Sequence, residues 1–212
     1  MQPTIALKVL GIYLPNRIMT HFDFDVIVAC DVDNGGGIGF RGSIPWHVKE
    51  DMQRFRAITT DAPKNGKRNA VIMGEKTWTS FPVPNDALPG RFKIILSKTF
   101  AHYDTINVNL RERVFVTSFD AALKLARSMG DVHKIFVIGG TRVYKEAIEH
   151  PQCGAIHFTK IYRSSTLSRE YTYDAYFPFE RLKELTFVEH DVGELKTTPD
   201  GSVHYQFSTW SR

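Results

Sequence analysis

The stretch Gly35–Met52, GGGIGFRGSIPWHVKEDM, follows closely on the apolar run Val26–Cys30, VIVAC. Within it, Gly37-Ile38-Gly39-Phe40-Arg41-Gly42 spells G-x-G-x-x-G, the pattern of a phosphate-binding turn between a strand and a helix. That turn works only when the third glycine opens the helix whose N-terminus receives the phosphate. Here Ser43-Ile44-Pro45-Trp46 follows Gly42. Pro45 pushes Ile44 to extended backbone, so no helix begins before Pro45. The acid expected roughly 20 residues further on, at the end of a second strand, is also missing. Asp51 and Asp61 fall in or just after the helix instead. The stretch therefore reads as a mobile loop between a strand and a helix, with glycines that permit close approach to a ligand or hinge motion.

Outward from this loop, strand and helix patterns alternate. Asp25–Cys30 is a continuous apolar run, as in a strand buried on both faces, and so are 69–74 (NAVIMG) and 92–97 (FKIILS). From His47 to Thr60, Val48, Met52, Phe55 and Ile58 recur at helical spacing, predicting an amphipathic helix. GEKTWTSF (74–81) predicts a short helix, VFVT (114–117) a strand, and SFDAALKLARSM (118–129) a helix with Ser118 as N-cap. KIFVIGG (134–140) predicts a strand ending in two glycines, TRVYKEAI (141–148) a helix and AIHFTKI (155–161) another strand. Thr198-Pro199-Asp200-Gly201 is a turn joining ELTFVEHDV (184–192) to SVHYQFSTW (202–210) as an antiparallel hairpin. The expected architecture is a single α/β domain: a mainly parallel central sheet, helices on both faces and a C-terminal antiparallel hairpin. Residues 1–22 read as an N-terminal extension or arm, and residues 23–212 as the domain.

Composition narrows the function. The chain has 212 residues, 42% apolar and 24% charged, which fits a globular domain large enough to bury a core. Two cysteines, Cys30 and Cys153, make neither a disulfide framework nor a thiolate metal site, and a reducing, cytoplasmic setting is expected. No apolar run reaches the roughly 20 residues of a membrane span. The net charge of +4 is modest, and the cluster Lys64-Asn-Gly-Lys67-Arg68 lacks interleaved aromatics, so a nucleic-acid partner is not expected. The eight histidines show no ligand spacing, so no metal is expected either.

In open α/β sheets, ligands sit beyond the carboxyl ends of the strands. Asp51 lies there, one turn into a helix beside an apolar stripe. An acid in that position favours the helix dipole; semi-buried, it is also suited to hydrogen-bond a nitrogen heterocycle and adjust its protonation. Gly139 and Gly140 end a strand and open the helix of Thr141, which meets the condition for anion binding that Gly37–Gly42 fails, and Arg142 adds a charge. Trp78, Phe81, Tyr144 and Tyr176 read as core aromatics.

Together, VIVACD, GGGIGFRGSIPWHVKEDMQRF, NAVIMGEKTW, LPGRFKIILS, FVIGGTRVY and FTKI with DAYFP resemble the dihydrofolate reductases, in the family's order from about Phe24 to Trp210. The doubled glycine before Ile38 and the long N-terminal segment look most like protozoan members, which are often fused to thymidylate synthase. No synthase segment is read in this chain. The resemblance implies NADPH-dependent reduction of dihydrofolate to tetrahydrofolate, with antifolates such as methotrexate as competing ligands.

It also implies roles. Asp51 matches the acid that holds the pterin and favours protonation of N5, with Trp46 anchoring the loop beside it. Ile27, Val28, Met52, Phe55, Phe81, Leu88 and Ile138 match the apolar walls around the substrate, with Tyr144 nearby. Thr159 matches the hydroxyl that supports the acid, and Arg91 the residue that grips the substrate's glutamate carboxylate. For the cofactor, Ala29, Ile38 and Gly39 match the nicotinamide end. Gly74, Glu75, Lys76 and Thr77 match one pyrophosphate-binding helix start, and Gly139, Gly140, Thr141, Arg142, Val143 and Tyr144 the other. Leu96, Ser97 and Lys98 match the place where the 2′-phosphate is read. The Gly139–Gly140 peptide is expected to be cis. One departure stands out: Glu75 occupies a position that the family usually gives to Arg or Lys. An acid there should repel a 2′-phosphate or require a nearby cation such as Lys98 or Lys67.

Overall fold

The computed structural model describes residues 23–83, 87–99, 112–163 and 172–212. In chain order its elements are β1 (Phe24–Asp31), β2 (Gly37–Gly39), α1 (Lys49–Thr60), β3 (Arg68–Gly74), α2 (Glu75–Thr79), β4 (Arg91–Leu96) and β5 (Arg113–Val116). Then come α3 (Phe119–Ser128), β6 (Val132–Val137), α4 (Thr141–Glu149), β7 (Cys153–Arg163), β8 (Ala175–Tyr176) and α5 (Arg181–Glu184). The last are β9 (Val188–His190), β10 (Lys196–Thr197) and β11 (Val203–Ser211). The segment 1–22 lies outside the described residues.

The sheet order is β10-β11-β7-β1-β6-β3-β4-β5. From β7 to β5 every neighbour is parallel, and β11 runs antiparallel to β7, with β9 and β10 antiparallel to β11. The mainly parallel sheet with an antiparallel C-terminal end is therefore present. The buried runs explain its interior: all six residues of β4 and five of the seven in β3 are buried, as strands covered on both faces require.

The hairpin differs from its expectation in one half. Instead of one strand over 184–192, only Val188–His190 and Lys196–Thr197 pair with β11. Thr186 and Asp191 adopt φ of 63° and 49°, left-handed backbone that cannot continue a strand, and so break the run. The turn itself forms as expected, with Gly201 at φ 72°. The Asp200 carboxylate accepts from the Thr198 hydroxyl (2.7 Å) and from the Ser202 backbone N–H (3.1 Å).

The pleat divides the core. On one face, Val26, Val28, Ile72 and Phe158 pack with Phe119, Leu123, Val143 and Ile148 from α3 and α4. On the other, Ile27, Val71, Met73 and Phe136 pack with Trp78 of α2 and Phe55 and Ile58 of α1. Helix α1 begins at Lys49, two residues later than the periodicity predicts, because Val48 is still extended (φ −118°, ψ 104°). Val48 leaves the stripe and packs with Ile161, Val203 and Tyr205. Met52 also departs from it and is 52% exposed. Helix α3 is capped by Ser118, whose hydroxyl accepts from Ala121 N–H, as its sequence predicts.

Phe158 is fully buried, between Phe177 (ring centroids 5.6 Å), Phe179 (5.4 Å) and Trp210 (6.2 Å). Phe158→Ala should cost about 3–5 kcal/mol of stability, read as a lower urea midpoint at unchanged slope. A loss below about 1 kcal/mol would mean that this aromatic cluster does not hold β7 to the C-terminal strands.

Candidate active site

Helix α1 carries the candidate chemistry on one face. Asp51, Phe55 and Thr59 follow at intervals of four, so they stack along a single side over about 12 Å of helix. At the N-terminal end, Asp51 Oδ1 accepts a 2.7 Å hydrogen bond from the Thr159 hydroxyl on β7. Strand register fixes that hydroxyl, since Thr159 is paired with Ala29 on β1 and Phe207 on β11. Burial raises the Asp51 carboxyl above the usual aspartate range, while the Thr159 bond and the nearby Arg54 charge oppose the rise.

At the far end of α1, the buried Arg91 of β4 donates from Nη1 to the Thr59 hydroxyl (2.8 Å) and from Nε to the Pro89 carbonyl (3.2 Å). Its guanidinium lies over the Phe55 ring, 5.8 Å from the centroid. Burial, then repulsion by Arg56, brings it down to about 10, so it remains a cation at neutral pH. Between the two poles, Ile27 and Ile138 are buried and Phe55, Phe81 and Leu88 half-buried in one apolar cluster. An elongated ligand with a polar heterocycle at one end and an anion at the other matches this order of groups.

A second set of groups surrounds the carboxyl ends of β3 and β6. The peptide Gly139–Gly140 is cis, and Gly74 N–H donates to the Gly139 carbonyl at 2.7 Å. Gly74 and Gly140 are the N-caps of α2 and α4, and neither provides a side-chain cap to the helix amides. The approach is tight: a Cβ on Gly139, which has φ 112°, would lie 2.8 Å from the Tyr144 ring, and one on Gly140 would lie 3.2 Å from Thr77 Oγ1. Gly139 thus needs to be glycine and Gly140 has little room for more, while no side chain caps the starts of α2 and α4.

Beyond this fold and geometry, the model of the dihydrofolate reductase family matches residues 23–212. The chain belongs to the dihydrofolate reductase family. It is 30% identical over 188 residues to the dihydrofolate reductase of Heliothis virescens, covering 88% of this chain and 95% of that one. The Candida albicans dihydrofolate reductase is 32% identical over 181 residues, covering 83% and 91%. A bifunctional dihydrofolate reductase-thymidylate synthase of Daucus carota is 38% identical over 141 residues, 65% of this chain and 26% of the longer protein. The enzyme is accordingly an oxidoreductase of tetrahydrofolate and one-carbon metabolism. Among the described residues no helix is long and apolar enough to cross a membrane.

Not every residue named from the sequence turns its side chain to these two places. Val28 points to the opposite face from Ile27 and packs in the larger core, as alternation along β1 requires. Leu96 and Val143 are buried in that same core. Tyr144 is buried too, and its hydroxyl donates to the Ile27 carbonyl at 2.9 Å, tying α4 to β1. These four contribute backbone position rather than a free side chain. Met52 faces outward beside the acid. Arg142 is half exposed and pairs with Glu146 one turn on at 3.5 Å.

The expected cation beside Glu75 is replaced by a hydroxyl, since Ser97 donates to Glu75 Oε2 at 2.7 Å; Lys76 and Lys98 are exposed. Ile38 packs against the larger core and Ala29 against the cluster that includes Trp46. Trp46 tilts against Tyr173, with ring centroids 6.3 Å apart.

Sequence reading missed three participants. Thr59 and Arg54 were findable from helical spacing, eight and three residues after Asp51. Tyr173 was not, because only the fold brings its hydroxyl to the buried Asp31 carboxylate (2.6 Å).

The raised Asp51 carboxyl has a cost with a definite sign. A group that binds its proton more tightly when folded loses native stability as pH rises from the ordinary aspartate range through the raised folded value. Asp51→Asn should therefore melt at a higher temperature than the parent chain at pH 7, and the two should converge in acid. A lower melting temperature for Asp51→Asn at pH 7 would contradict this assignment.

Proposed function

We propose that the enzyme reduces 7,8-dihydrofolate to tetrahydrofolate with NADPH, adding hydride to C6 and a proton to N5 of the pterin. The observation that carries the reading is the Asp51–Thr159 hydrogen bond at one end of an apolar wall that Arg91 closes at the other. Bound NADPH would supply the hydride.

Asp51 holds N3 and the 2-amino group of the pterin through its carboxylate, in an orientation kept by Thr159. The buried Asp51 carboxylate favours protonation at N5, with a solvent molecule held near Trp46 as the immediate donor. Ile27, Phe55, Phe81, Leu88 and Ile138 pack on the rings and keep bulk water from the reacting face. Arg91 grips the glutamate carboxylate; its planar fork suits a bidentate anion contact.

The uncapped starts of α2 and α4, which follow Gly74 and Gly140, would take a pyrophosphate, with Lys76, Thr77, Thr141 and Arg142 around them. Ala29, Ile38 and Gly39 lie toward the nicotinamide, and Ser97 and Lys98 toward the 2′-phosphate. Methotrexate would compete for the pterin site. The bifunctional relatives support a fused or associated thymidylate synthase in the native setting, and two buried free cysteines suit the cytoplasm.

The test is loss of reduced-nicotinamide absorbance on adding dihydrofolate, with and without methotrexate. Asp51→Asn should lower turnover about 10²–10⁴-fold while NADPH still binds. No dihydrofolate-dependent oxidation at any pH would overturn the reading.

The Glu75–Ser97 contact generates a separate expectation. An acid that already holds the serine hydroxyl repels an added phosphate. Glu75→Arg should tighten NADPH about tenfold at low salt and less at high salt, with NADH much less affected, measured by nicotinamide fluorescence titration. Equal effects on both dinucleotides would refute a role for Glu75 at the 2′-phosphate.

A further inference from the structure

Arg54 has no place in the roles above, yet it sits behind the acid. It follows Asp51 by three residues on α1, which puts the two on neighbouring positions of one helix side. Its guanidinium lies over the ring of Phe207 on β11, 4.9 Å from the centroid, and Nη2 donates to the Ser208 carbonyl at 3.4 Å. Phe207 is the register partner of Thr159, whose hydroxyl holds Asp51. Nη1 is sealed from solvent with no hydrogen-bond partner among the described residues. Arg54 and Asp51 form no ion pair among the described residues, but each charge acts on the other through the intervening low-dielectric space.

This arrangement is costly as packing alone. An arginine that only covered Phe207 would keep its head in solvent, as long basic side chains do. Here part of the guanidinium is desolvated beside a carboxylate that it does not touch. A direct ion pair would occupy the oxygens that a ligand needs. A cation one turn away biases the carboxylate and leaves Oδ2 free.

We propose that Arg54 is a positioning residue for the reaction: its partly buried guanidinium is the counter-charge that keeps Asp51 ionised under the apolar wall without consuming its oxygens. The proposal rests on the reading of Asp51 as the acid of dihydrofolate reduction.

The other groups around Asp51 leave this task to Arg54. On α1, Glu50 is exposed and turns to the Tyr205 hydroxyl of β11. On β7, His157 faces Asp25 of β1 at 3.4 Å, and Lys160 is paired with Glu189 at 2.7 Å. From α4, burial drives the Tyr144 phenol far up and keeps it neutral, and burial does the same to the Cys30 thiol of β1. Thr159 and Ser208 carry no charge. Arg54 is the cation that opposes the burial of Asp51.

The test compares Arg54→Met, which keeps an apolar stem over Phe207, with Arg54→Lys, which keeps the charge. The primary readout is the Asp51 carboxyl itself, followed by ¹³C NMR in the ligand-free, aspartate-labelled enzyme and assigned with Asp51→Asn. Arg54→Met should move the midpoint upward by about one pH unit, a tenfold change in proton affinity, and Arg54→Lys should restore most of it. The pH midpoint of single-turnover hydride transfer should move upward with the carboxyl. Should Arg54→Met not fold, Arg54→Gln, which keeps a donor for the Ser208 carbonyl, carries the same expectation. An unmoved carboxyl midpoint in a folded Arg54→Met or Arg54→Gln enzyme would overturn the proposal and leave Arg54 as packing. The NMR titration needs no turnover, so absence of dihydrofolate reduction in the parent enzyme would refute the proposed function separately.

Discussion

One carboxylate buried under an apolar wall is the constraint around which this molecule is arranged. Water would hold the Asp51 anion more cheaply than this site does, and the raised carboxyl measures the difference. The penalty is bearable because Thr159 donates to one oxygen from a strand that is paired on both sides. β7 lies between β1 and β11, bonded along most of its length on both sides, so Thr159 has no freedom to follow a shift in α1. The long parallel sheet and its antiparallel end therefore have a chemical purpose: they hold a hydroxyl still.

Helix α1 then acts as a ruler. Its acid, its aromatic ring and its hydroxyl repeat every four residues, and the third position meets an arginine from a different element. Distance between the two poles is set by helix length, while the identity of the far pole is set by where β4 begins. Arg91 opens β4 immediately after Gly90, which turns the chain with φ 78°. Its side chain enters the core edge rather than solvent, and the desolvation that lowers it is tolerated because Thr59, the Pro89 carbonyl and the Phe55 ring face it. An acid and a cation held on separate elements keep a separation that neighbouring charges on one helix do not have.

Much of this was legible from residue order. Continuous apolar runs announced β1, β3 and β4, because a strand buried on both faces cannot alternate. Pro45 showed that the glycine loop does not open a helix, and Ser118 announced its own cap. What could not be read from periodicity was which side of a pleat faces the ligand: Val28 and Ile27 are equally apolar, and only the position of α1 sends one to the ligand face and the other to the core. Left-handed residues Thr186 and Asp191 broke a strand that its composition supports, since neither is a residue whose type demands that backbone. Long-range polar contacts such as Tyr173 to Asp31 and Ser97 to Glu75 leave no local signal at all, because each depends on elements that meet only after folding.

The glycine loop shows how far such contacts change a local reading. By composition it is a hinge, but in the fold it is stitched on both sides. β2 pairs with β1 and β8, Gly36 lies so close to the Phe177 carbonyl that a Cβ would sit 2.5 Å from it, and a Cβ on Gly37 would enter the Tyr173 ring. Tyr173 in turn holds Asp31 at the end of β1, and Arg163 at the end of β7 holds the Pro45 carbonyl. On the far side, Tyr176 N–H of β8 donates to the Thr141 hydroxyl at the start of α4. The loop is therefore tied at once to the end of β1, to the segment that leads into α1 and, through β8, to the start of α4. Its glycines serve close packing against Tyr173 and Phe177, on either side of β8, as much as motion. A shift of this loop that keeps its pairing with β8 would move β8 against Thr141 at the start of α4. One short stretch thus joins two sites that the sheet itself keeps on separate strands.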